Sequence, residues 1–119
     1  MVDQPYLEAH DRMAMSEDEL LELLGADLAG PQAMPLRPAE LIDRARRWLG
    51  AQRDRLEEAV CSSESVRSFV AGDSPDAEVV VEVAKLLAGM LLPVNPVTLA
   101  TLLVKRGVSL LCANRWSTT

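Results

Sequence analysis

The side chains with chemistry of their own are few: one histidine, two cysteines, and twelve lysines and arginines against eighteen aspartates and glutamates in 119 residues. His10 stands between Glu8 and Asp11, a grouping that acid–base work or a metal can use, but a lone imidazole on a polar segment is ordinarily solvated. Cys61 and Cys112 have neither a Cys-x-x-Cys spacing nor a neighbouring histidine, so thiol catalysis and a zinc site both lack their ligands. Their isolation reads as buried or incidental thiols of a reducing compartment, with a disulfide as the alternative. The chain has no glycine-rich phosphate loop. These residues predict a protein that is not an enzyme and that uses no cofactor, no metal and no small-molecule substrate.

The cationic residues allow a second chemistry. Net charge is −6, and most of it lies in residues 1–30, where eight acids face Arg12 alone. Such a chain does not gather near nucleic acid by bulk electrostatics, so DNA binding needs a local basic face. Beyond Glu82 the charged residues are Lys85, Lys105, Arg106 and Arg115. Thr98-Leu99-Ala100, Gly107-Val108-Ser109 and Arg115-Trp116 together resemble the helix-turn-helix of small bacterial regulators, over about twenty residues. The resemblance implies a recognition helix starting at Ser109 and a DNA-binding regulator in which Lys105, Arg106 and Arg115 meet nucleic acid. The chain departs from that pattern at Leu110 and Leu111, which stand where base-reading side chains belong, at Leu103, where a small residue belongs, and at Arg106, a position that is normally buried. Gly72-Asp73-Ser74, followed by Gly89 and Pro93, is similar to the modified loop of acyl-carrier proteins, which implies phosphopantetheine on Ser74. Pro75 departs from that family, and Ser74 is equally the type that caps a helix.

The elements that must position these residues read as helices. Residues 1–15 lack periodicity and predict a mobile N-terminal arm; residues 16–119 predict one domain. Ser16 with Glu19 forms a capping box ahead of the stripe Leu20, Leu21, Leu24 and Leu28. The three prolines within Gly30–Pro38 demand an extended connection, the best hinge in the chain. From Pro38, Leu41, Ile42, Ala45, Trp48, Leu49, Leu56, Ala59 and Val60 recur at the helical period. The opposite face pairs Glu40 with Arg44, Asp43 with Arg47 and Arg53 with Glu57, and reads as solvated. A shorter helix follows over residues 62–71. Ser74-Pro75 and Asn95-Pro96 then open two strongly apolar helices, at 76–92 and 96–106, and Ser109 caps a last short one ending near Trp116. The expected fold is all-α: a compact bundle of five or six helices with an apolar C-terminal helical hairpin.

That hairpin carries the functional expectation. Its polar lines are so narrow that some of its surface is available to a partner or a second copy of the chain. The sequence predicts an adaptor, accessory or regulatory subunit that binds protein by helix-in-groove packing. Trp48, Leu56, Leu87, Leu91, Leu103 and Trp116 are the candidate anchors. A membrane-active hairpin is a further alternative, because positions 86–104 carry no charge, although Pro93-Val94-Asn95-Pro96 interrupts them. The acidic start, with no apolar run behind a basic one, predicts a cytoplasmic protein. Ten arginines against two lysines hint at a GC-rich bacterial coding sequence.

Overall fold

Backbone groups left open at each helix end set the boundaries in the computed structural model, which describes residues 4–30 and 36–116. Residues expected as an arm form α1 (Gln4–Met13), a helix that the sequence hides because its buried side is mostly a single alanine, Ala9. The Ser16 hydroxyl accepts from the Glu19 amide while the Glu19 carboxylate accepts from the Ser16 amide, closing the capping box of α2 (Glu17–Ala29). Of the expected extended connection, residues 31–35 lie outside the described residues. Pro38 begins α3 (Pro38–Cys61). Ser63 caps α4 (Glu64–Ala71) through the Val66 amide. Helix α5 (Asp76–Ala88) starts after Pro75, which makes no side-chain cap, so Ser74 is not its cap.

Helix α5 also ends four residues before Leu92. The chain unwinds at Gly89, and Leu91 takes a left-handed backbone at φ 55° ahead of Pro93, which cannot continue a helix. Asn95 Oδ1 then accepts from the Val97 and Thr98 amides to open α6 (Pro96–Arg106). The single last helix expected from Ser109 is two turns instead, α7 (Val108–Leu111) and α8 (Ala113–Trp116), parted at Cys112. The described residues therefore hold eight helices and no strand, more than the five or six expected. The difference is α1 and this division. The uncharged run 86–104 is split by the turn between α5 and α6, and among the described residues no helix is long and apolar enough to cross a membrane.

Helix α6 is the centre of the core: Val97 through Leu103 are buried at seven successive positions, which only a helix covered on every side permits. It packs against α5, α1, α2 and α7, while α2 lies along α3. The two polar residues in that run are satisfied, since Thr98 Oγ1 accepts from Arg12 Nε at 2.8 Å and Thr101 Oγ1 donates to the Val97 carbonyl. Gly25 lets α2 and α3 touch, because a Cβ there would overlap the Leu41 carbonyl. Cys61, ending α3, and Cys112 are joined in a disulfide with Cα atoms 5.4 Å apart. The reading of both as free thiols is thereby corrected. Fifty-one residues of separation concealed a proximity that only the return of α6 and α7 to the end of α3 creates.

Candidate functional site

An open groove of about 370 Å³ runs between α3 and the α6–α7 corner. On α3 its lining falls at positions 46, 49, 50, 53 and 56, and across from them at 103, 106, 107, 110 and 111. The α3 set follows the three- and four-residue steps of a helix face, whereas the other set straddles the turn at Gly107 between α6 and α7. Leu49, Leu56 and Leu103 form a floor that is itself almost fully buried. Leu110 forms a lip that is 77% exposed. The charged side chains in the lining are all arginines: Arg46, Arg53 and Arg106.

Two glycines shape the groove. Gly107 ends α6 at φ 106°, its amide donating to the Leu103 and Val104 carbonyls, and a side chain there would press on Leu110. It turns the chain so that α7 comes back along the opening. Gly50, midway along α3, has nothing within 4 Å of where a Cβ would stand. The groove is deep partly because this position contributes no side chain.

The electrostatics of the rim are uneven. Arg106 Nε donates to Glu17 Oε1 at 2.6 Å, and Arg46 meets Asp18 at 3.8 Å with both side chains mostly exposed. These two acids belong to the first turn of α2, so the groove's cations already receive carboxylates from a helix N-terminus. Arg53 has no hydrogen bond or ion pair among the described residues, and its expected partner Glu57 is approached by Arg115 instead, at 3.5 Å.

The remaining expected residues scatter. Leu56 and Leu103 lie in the groove floor, but Leu87 is buried core at 1% exposure. Trp48 is half-buried against the core. Leu91 is 90% exposed and not part of the groove. Trp116 is half-buried, its indole N–H donating to the Cys61 carbonyl with the Arg67 guanidinium 5.8 Å from its ring. Of the cations considered for nucleic acid, Lys105 is exposed, Arg106 is held by Glu17, and Arg115 lies against Glu57 and Glu58. The expected recognition helix is two four-residue turns. Ser74 is half-buried, its amide donating to the Phe69 carbonyl, and His10 is exposed beside the Tyr6 ring. A second, shallower cavity of about 310 Å³ is lined by Tyr6, Phe69, Glu78, Val81 and Glu82. Among the described residues no three His, Cys, Asp or Glu side chains gather as a metal centre needs.

Sequence reasoning missed Arg46, Leu49, Gly50, Arg53, Leu110 and Leu111 as one site. The period of the α3 set was visible, but nothing in it named the face that it meets. Comparison with known protein families, with curated proteins and with solved structures finds no match for this chain.

Proposed function

We propose that this chain is a non-catalytic protein-interaction module, an adaptor, accessory or regulatory subunit, that takes an apolar helix face of another protein into the groove between α3 and the α6–α7 corner. The observation that carries the reading is the groove itself: an aliphatic floor open to solvent beneath Leu110, of a size that admits the side chains of a docking helix. The α5–α6 pair, read as the apolar hairpin, serves as core beneath α1 rather than as the docking surface, and Leu56 and Leu103 are the two expected anchors that remain. The DNA alternative draws little support, because Arg106 and Arg115 are engaged by acids of the chain itself and a four-residue turn does not fill a major groove. The Cys61–Cys112 disulfide stands against the expected cytoplasmic setting, since such bonds persist in oxidising surroundings.

Gly50→Leu supplies the test, because it fills the groove from a position with free space. The tagged chain and this variant, matched by circular dichroism and with the variant melting no lower than the unaltered chain, are purified from the cells of origin without detergent, and co-eluting proteins are read by mass spectrometry. The proposal expects a stoichiometric partner on the unaltered chain that Gly50→Leu loses. Equal retention by both chains, or elution of the unaltered chain alone, rejects it.

A further inference from the structure

We infer that the groove's partner is an acidic amphipathic helix, with leucine-like side chains seated on the floor and carboxylates received by Arg53 and Arg46. The inference rests on the docking groove proposed above and adds the chemistry of its occupant.

The argument is one of charge complementarity. This chain is acidic overall, at −6, yet the charged residues of the groove lining are three guanidiniums. A guanidinium with no partner in its own chain has its planar fork open to a carboxylate, with which it makes a charge-assisted bidentate pair. Arg53 is in that position, with no partner among the described residues. Arg46 is nearly so: its 3.8 Å contact with Asp18 joins side chains 61% and 73% exposed, a geometry that contributes little and breaks cheaply. Arg106 is different, since its 2.6 Å bond to Glu17 holds the corner and leaves that cation committed.

The same contacts show what kind of carboxylate the rim accepts. Glu17 and Asp18 reach it from the first turn of a helix, so helix-borne acids already dock there within the chain. Arg46 and Arg53 are seven residues apart, two turns along α3, on the same face as Leu49. A partner helix lying along α3 would present acids two turns apart beside an apolar stripe. A basic helix would meet Arg53 and the weakly held Arg46 with like charge and be disfavoured, which gives the groove selectivity as well as affinity.

The test uses the full chain with its disulfide intact and a displayed library of helical peptides about 16 residues long, roughly four turns. The surface positions of the library are randomised between acidic, basic and neutral residues around an apolar stripe. The inference expects selected peptides enriched in Glu and Asp at positions flanking the stripe. Their affinity should fall about tenfold with Arg53→Glu, fall again with added salt, and vanish with Gly50→Leu. Selection on the Arg53→Glu chain should enrich Lys and Arg instead.

Peptides blocked by Gly50→Leu but free of any acidic bias would overturn the charge inference and leave the docking groove standing. Peptides indifferent to Gly50→Leu, such as ones seated on Leu91 or at the Tyr6–Phe69 cavity, would overturn both. Failure to select any peptide, or displacement of selected peptides by an equal concentration of dodecanoate, would overturn the helix as occupant.

Discussion

Gly25, by the closeness of its neighbour, and Leu91, by its own backbone, constrain what can replace them in opposite ways. A methyl at Gly25 meets the Leu41 carbonyl, so Gly25→Ala must push α2 from α3. Overpacking outweighs the improved helix propensity, and chemical denaturation should show a net loss of about 2 kcal/mol. Leu91 is the reverse case. Its side chain is 90% exposed while its φ is 55°, a conformation asparagine tolerates better than leucine. Leu91→Asn should therefore gain up to about 1 kcal/mol in the same measurement, with no packing lost. Gly50 shares neither constraint, and Gly50→Leu should stabilise the helix by about 0.5–1 kcal/mol while closing the groove. Stability and binding then move in opposite directions, which separates a docking role from a folding one.

Two elements depend on tertiary partners for their existence. Helix α1 covers α5 and α6 with Ala9 fully buried and Tyr6 and Met13 packed against the core. Deleting residues 1–14 should cost about 3 kcal/mol or more of apolar burial and expose enough of α5 to bind a hydrophobic dye. The four-residue turns α7 and α8 cannot persist alone, since nucleating a helix is unfavourable at that length. They are held by the disulfide, by the Trp116 indole on the Cys61 carbonyl, and by Arg115 against Glu57 and Glu58. A crosslink spanning 51 residues contributes at most about 4 kcal/mol by chain entropy. Reduction should thus lower stability and raise amide exchange over 108–116 first, with α6 exchanging only on global unfolding. Because Leu110 and Leu111 belong to α7, reduction should also weaken any ligand of the groove.

At the scale of the whole molecule, α6 is enclosed by α1, α2, α5 and α7, so the chain does not need a second copy to cover its most completely buried helix. Sedimentation of the 13.0 kDa chain should give a monomer, and a dimer dissociated by Gly50→Leu would instead identify a second copy as the groove's occupant. The helical class, the Ser16–Glu19 capping box, the Asn95 cap and the long face of α3 were legible in the sequence because they arise between residues a few positions apart, where period and cap chemistry act. Leu20, Leu24, Leu56 and Val60 fell on the buried side for the same reason. Helix α1 was not legible, since its one fully buried side chain is an alanine and its helicity comes from the core it covers. Neither was the joining of Cys61 to Cys112, nor the release of Arg53 from Glu57 once Arg115 arrives. The groove belongs with these. Its α3 wall is an ordinary helical stripe, and it becomes a site only where α7 folds back over Gly107 toward α3, a meeting of residues some fifty positions apart that local pattern does not encode.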